Sequence, residues 1–422
     1  MAAVPRRGER APSRGDAQAL AMTEEIGAQL GRMKGAGAKL VQLLSMLAFE
    51  RERSQGALGA LRAGAEPIGF DRVRRIVERE LDAPVGELFS AFDEEPFALA
   101  SLGQVHRART DDGAQVAVKV QHPGAAEAIA ADLRNLGLVS PILRRLAPGI
   151  DAAALLAEVR ELISDELDYE LEAQHQRRVE RRLRGHPDIL VARVHTGLST
   201  RRVLVTDYVE GLGAQEIARL PEAARDRVGE LVFRFYFGLA WRDGTVAGDP
   251  HADNCVLCPD GRVCLLDFGL LRELEPDYVE GERGVMQAIA AGDAQGVHDG
   301  LSGLSYLPDP GAVDPDALLE HLATAGEWLL APGFRRLGPD DVERTVERGY
   351  PPRSPWFAQM RRLSMPAPTL LLRRMELQVL SVLADLRAGA DWGALAAEHH
   401  AGEPPSTDLG REDADFFSRR AR

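Results

Sequence analysis

From Gly248 to Asn254 the chain reads G-D-P-H-A-D-N, and after a short strand and turn it reads L-L-D-F-G from Leu265 to Gly269. Two carboxylates and an amide at this spacing suit ATP-dependent phosphoryl transfer. Asp249 would orient an acceptor hydroxyl or water and take its proton, while Asn254 and Asp267 would hold Mg2+ on the phosphates. A lone D-F-G arises by chance. An acid and an amide at the right distance upstream turn it into a constellation.

Such chemistry also needs a cation on the phosphates. V-A-V-K (Val116 to Lys119) ends an apolar alternating strand whose lysine can reach into a cleft. Taken singly, Lys119 equally suits an exposed strand-end lysine, and the D-F-G segment tips the balance to the cleft. Its ammonium needs a carboxylate partner, and Glu172 in E-L-D-Y-E-L-E-A is the candidate, 172 − 119 = 53 residues on. Upstream, Pro96 to His106 takes the place of a phosphate-covering loop. Its single glycine, Gly103, and the small Ala98, Ala100 and Ser101, with Gln104 closing the loop, let backbone approach phosphates. Val203 to Gly211 is an apolar strand breaking into a polar linker, where an adenine could bond to the backbone of Tyr208 and Val209.

Periodicity gives the elements that position these groups. Residues 1–18 are an Arg/Pro/Gly-rich arm expected to be disordered, and 19–90 form a helical extension. Strands are expected at 96–109 and 115–121, joined at Asp111–Gly113, and again at 189–194 and 203–208. Helices are expected over 124–146, 151–184 and 221–241, and most of 278–399 is helical. Residues 91–208 then form a strand-rich lobe with a helical insertion, 209–399 a mainly helical lobe, and 400–422 a polar, mobile tail. The fold class is α+β, with two lobes.

Composition narrows the function. The chain has 45% apolar and 27% charged residues, as in a soluble globular protein, and a net charge of −14 that argues against a general nucleic-acid binder. Two basic clusters stand out, Arg6/Arg7/Arg10/Arg14 and Arg177/Arg178/Arg181/Arg182/Arg184. They read as a tail and a solvated helix face, although such clusters can also meet anionic lipid head groups. Three cysteines exclude a disulfide framework and suit a reducing cytosol; Cys255, Cys258 and Cys264 lack a fourth zinc ligand and read as buried thiols. The most apolar stretch, Leu370 to Leu386, is interrupted by Arg373, Arg374, Glu376 and Asp385, so it does not read as a membrane span. The expected location is cytoplasmic, with peripheral membrane contact through the basic arm, an apolar surface or a partner.

Taken in order, these motifs resemble the UbiB/AarF-type atypical kinases, a protein-kinase-like fold associated with ubiquinone and other isoprenoid-lipid metabolism. The resemblance covers residues 30–275 with ordered motifs and continues less distinctly to about 395. Lys39 and Gln42 match the family's K-x-G-Q helix, Glu166 and Asp168 its E-x-D pair, and Ala98 to Gln104 its alanine-rich loop. Lys119, Glu172, Asp249, Asn254 and Asp267 fall on the kinase-type positions. The resemblance implies a lid in which Lys39 meets Glu166 or Asp168 over the active site. It also implies ATP or ADP with Mg2+ as cofactors, and slow hydrolysis or phosphorylation of a small or isoprenoid-lipid acceptor. Two positions depart from the pattern: Val41 replaces the glycine of K-x-G-Q, and Leu99 interrupts the alanine run. Those departures favour a nucleotide-binding pseudokinase scaffold as one alternative. G-D-P-H-A-D-N also resembles the G-D-x-H-x-x-N of aminoglycoside- and choline-type small-molecule kinases, the other alternative.

Overall fold

The computed structural model describes residues 67–420 apart from 101, 128, 131–148, 150, 350–355 and 361. The basic arm, Lys39, Val41, Gln42 and Ser101 lie outside the described residues.

The first lobe is built on an antiparallel sheet ordered β1-β3-β4-β6, with β2 on the free part of β3. β1 is Ala91–Phe92, β2 Ala98–Ala100, β3 Gly103–Arg109, β4 Gln115–Gln121 and β6 Val203–Asp207. β5, Ile189–Val191, belongs to the other lobe's small sheet. Alternation gives the sheet two chemically distinct faces. Val116, Val118 and Val120 are fully buried with Val203 and Val205 against Val73, Ile76 and Val77 of helix α1 (Phe70–Leu81). α1 therefore packs on this sheet, although the sequence groups it with the extension. Ala117 and Lys119 face the other way, into the cleft. The β3–β4 turn falls at the expected Asp111–Gly113, where Gly113 takes φ 87° and donates its N–H to the Thr110 carbonyl at 2.9 Å.

The helix expected over 151–184 is two helices, α2 (Ala152–Asp165) and α3 (Tyr169–Leu183). Asp168 causes the break: it is the N-cap of α3, accepting from the amides of Glu170 at 3.0 Å and Leu171 at 3.2 Å. Tyr169 and Ala173 then pack under the cleft face of the sheet with Val194 and Leu204.

The second lobe is organised around α4 (Glu222–Trp241), which is buried almost all round from Val228 to Trp241. β7 (Thr245–Ala247) pairs antiparallel with β10 (Leu271–Glu273), and β8 (Cys255–Leu257) with β9 (Val263–Leu265), which β5 joins in parallel. Helices α5 (Pro276–Ala291) and α6 (Ala367–Asp385) pack on this framework. Among the described residues no helix is long and apolar enough to cross a membrane. The three cysteines are free and buried, as expected, and burial pushes the Cys255 thiol up to about 12.

The polar segment expected to be mobile over 400–422 contains a packed helix, α7 (Asp408–Arg420). Its Asp413 carboxylate accepts from His186 at 3.1 Å and Arg242 at 3.3 Å. Phe417 lies under the Arg242 guanidinium, 3.3 Å from ring centroid to carbon, and Arg420 donates to the carbonyls of Arg181 and Arg184 at the end of α3. The second basic cluster is largely partnered as well. Arg177 bonds Thr196, Arg178 pairs with Glu273, Arg182 with Asp243 and Arg184 with Glu180.

Candidate active site

β4 carries Lys119 to the cleft and α3 carries Glu172 up to meet it. The ammonium lies 2.8 Å from both carboxylate oxygens and 4.7 Å from the Tyr169 ring centroid. Burial works against the charge on Lys119, but Glu172, Tyr169 and Asp267 outweigh it and hold the ammonium well above its ordinary range. Lys119 therefore stays cationic at any physiological pH.

α3 reaches the D-F-G turn too. His175 bonds the Phe268 carbonyl at 3.1 Å, and Phe268 itself is buried in the core. Asp267 turns back to accept from the Gly269 amide at 2.9 Å. A side chain at Gly269 would sit 3.8 Å from Glu172 Oε2, so the turn lies directly against the ion pair.

Strand register gathers the other two groups. Cys255 pairs with Leu265, and Leu266 N–H donates to the Asn254 carbonyl at 3.0 Å, so Asn254 and Asp267 leave the same end of the β8–β9 hairpin. Ala247 pairs with Leu271 and Gly248 N–H donates to Leu270 O at 2.7 Å, which brings Asp249 to the D-F-G strand. Both carboxylates act on Tyr236 of α4: burial chiefly, then Asp267, Cys255 and Asp249, push its phenol well up.

Above the site, β2 and β3 form a tight hairpin with Ala98 opposite Val105, Leu99 opposite Gln104 and Ala100 opposite Gly103. Val105 is also opposite Lys119, so Ala98, Ala100 and Gly103 share the cleft face and Leu99 does not. A side chain at Gly103 would strike the Val120 carbonyl and lie 2.8 Å from the Tyr169 hydroxyl, so only glycine fits there.

Two residues expected at the cofactor, Gln104 and Tyr208, are held by partners within the first lobe. Gln104 points into the lobe core, fully buried, where its amide bonds Ile68 N–H at 2.8 Å, Ile68 O at 3.1 Å and the rings of His106 and His122. Its side chain is a structural brace with no reach to the cleft. Tyr208 donates its backbone N–H to Gln115 at 3.0 Å, and its ring packs against Phe97 and beneath Arg107. Of the residues expected to meet a lid, Asp168 caps α3 and pairs with Arg201 at 3.4 Å, and Glu166 lies two residues before it. The expected pairing with Lys39 falls outside the described residues.

Residues that sequence reasoning missed lie on α6. Arg374 donates to the Gly248 carbonyl at 2.6 Å and bonds Asp249 Oδ1, and Gln378 donates to the same oxygen at 3.1 Å. The signal was present: Arg373 and Arg374 interrupt an apolar helix, and a cation there must find a partner.

The ABC1 atypical kinase-like domain is matched over residues 60–300, more than half of the chain. The chain belongs to the ABC1 atypical kinase-like family. Among family members, the mitochondrial atypical kinase coq-8 of Caenorhabditis elegans is 29% identical over 401 residues, covering 90% of this chain and 51% of the relative. Mitochondrial atypical kinase COQ8B of Danio rerio is 29% identical over 290 residues, covering 68% of this chain and 46% of the relative. The chain thus spans about half the length of the curated ABC1 relatives it matches. Among solved structures, the complex of Rv3197 with erythromycin from Mycobacterium tuberculosis aligns with a TM-score of 0.64 and 27% identity over 92% of this chain and 98% of that one. The two-lobed, kinase-like α+β fold read from the motifs is the fold of this chain.

Proposed function

We propose that this chain binds a magnesium–adenine nucleotide between its lobes and passes the terminal phosphoryl group, slowly, to a small or lipid-like acceptor or to water. The observation that carries the reading is the Lys119–Glu172 pair at 2.8 Å lying against the Asp267 turn, a phosphate-binding cation beside a metal-binding carboxylate. The donor set fits the cofactor. Asp267 and Asn254 offer the hard oxygens Mg2+ takes, and the small side chains of Ala98 and Ala100 on the cleft face let the hairpin backbone come close to phosphates. A bound Mg2+ would neutralise phosphate charge.

In this reading Lys119 holds the α- and β-phosphates and Glu172 holds Lys119. The β2–β3 hairpin covers the phosphates, and Ser101 is a further proposed contact. The Tyr208 carbonyl and Val209 meet the adenine. Asp249 orients the acceptor hydroxyl or water and accepts its proton, so rate comes from positioning and charge. Lys39 and Gln42 close over the site against Glu166 and Asp168, which would exclude a protein substrate.

The acceptor follows from kinship. The family resemblance favours an isoprenoid lipid met at a membrane surface. A second reading, phosphorylation of a soluble small molecule, is favoured by G-D-P-H-A-D-N and by likeness to a protein solved with erythromycin. The scaffold alternative loses one support, since Leu99 is turned away from the phosphate face. Phosphate release from ATP under single-turnover conditions tests the reading. Wild type should release phosphate and Asp249→Asn should lose at least about a hundredfold while still binding Mg·ADP. Equal release by both would remove Asp249 from the chemistry.

A further inference from the structure

Resting on that reading, we propose that Arg374 and Gln378 are positioning residues that fix the Asp249 carboxylate from α6. Arg374 is 2% exposed in a helix whose neighbours Leu371, Leu372, Met375 and Val379 are all buried and apolar. A guanidinium in such a place costs desolvation that a leucine would avoid, so fold stability alone does not call for it. Its bonds point to a use. Nε holds the Gly248 carbonyl at 2.6 Å while Nη2 holds Asp249 Oδ1, so one planar group fixes both the backbone before the aspartate and the carboxylate. Gln378, one helical turn on, adds a second donor to that same oxygen at 3.1 Å. Rotating the carboxyl about its Cβ–Cγ bond breaks both donations at once.

α6 is anchored in its turn. Arg373, the preceding residue, points to a different partner set, bonding Glu376 at 2.7 Å and Glu282 of α5. Glu282 is 1% exposed, and its carboxylate also accepts from Tyr278 at 2.7 Å and from Tyr306. The clamp is thus mounted on a rigid, hydrogen-bonded base, as a group that must stay aimed within about 0.5 Å requires. Lysine cannot replace Arg374, because an ammonium has no fork to span Gly248 O and Asp249 together.

The test uses the full chain and four variants: Arg374→Lys, Gln378→Leu, Asp249→Asn and Arg374→Lys/Asp249→Asn. Three quantities are read for each: urea stability without ligand, Mg·ADP affinity, and kcat with KM for ATP hydrolysis. Arg374→Lys should lower kcat about 10- to 100-fold, and Gln378→Leu several-fold. KM and Mg·ADP affinity should stay within about twofold, because neither residue faces the nucleotide. In the Asp249→Asn background Arg374→Lys should lower kcat no further, and the two stabilities should be non-additive without ligand. Unchanged kcat in both single variants overturns the clamp while leaving the function standing. So does a loss that appears equally in kcat, affinity and stability, which marks a merely structural residue. Wild type that binds Mg·ADP and never hydrolyses ATP removes transfer to water, and the clamp's role in that step with it.

Discussion

Breaking the Lys119–Glu172 pair from either side should give unequal costs. The Glu172 side chain is 5% exposed and that of Lys119 21%, with the Tyr169 ring 4.7 Å from the ammonium. Lys119→Met leaves a carboxylate buried without its cation, which costs about 3 kcal/mol at neutral pH. Glu172→Gln leaves an ammonium that water and the aromatic face still partly solvate, so it should cost about 1 to 2 kcal/mol. The second substitution then removes the stranded charge. The double variant should therefore cost less than Lys119→Met alone, about 1 to 2 kcal/mol, a coupling of about 3 kcal/mol. Urea unfolding of wild type, both singles and the double, without nucleotide at pH 7, measures this directly. Additivity within about 0.5 kcal/mol would mean that the pair does not exist in solution and that α3 does not hold the lysine.

The hairpin, the tail helix and a buried histidine give three further expectations. Leu99→Ala should leave Mg·ADP affinity within about twofold, whereas Gly103→Ala, pressed into the Val120 carbonyl, should cost about 1 to 3 kcal/mol of stability; titration calorimetry and urea melts read the two. Asp413→Ala strips a partner from His186 and Arg242 and should cost about 1 to 3 kcal/mol, with faster proteolysis after residue 404 as the second readout. Burial, then the charges of Arg234 and Arg242, lower the His399 pKa to about 4 from the ordinary 6.5 of histidine. A depressed histidine pKa means the unfolded chain takes up the proton first, so its stability contribution is complete above pH 6.5 and is lost as pH falls towards about 4. The slope is at most about 1.4 kcal/mol per pH unit, and His399→Leu should flatten that part of the stability–pH curve.

Much of the site could be read from the chain because its groups lie on short, regular segments. V-A-V-K alternates visibly, and that same alternation sends Lys119 to the cleft and Val118 and Val120 to the core. Three features depended on information held elsewhere in the chain. The side-chain direction of Gln104 follows from the β2–β3–β4 register, which only the paired strands define. The break between α2 and α3 is a capping event at Asp168, hidden inside a run with good helical periodicity. α7 looks polar and solvated because its stabilising partners, His186, Arg242 and the end of α3, lie more than 170 residues away. In the sequence alone Arg374 is an interruption of an apolar stretch that argues only against membrane insertion. Its reach to Asp249, 125 residues upstream, exists only in the folded chain.

Calorimetric titration of ADP with and without Mg2+, on wild type, Lys119→Met and Asp267→Asn, tests the central claim most directly. The account predicts Mg-enhanced binding to wild type, loss of most affinity in Lys119→Met, and retention of only Mg-independent binding in Asp267→Asn. Equal affinity across all three proteins, or no binding to wild type in either condition, would contradict it.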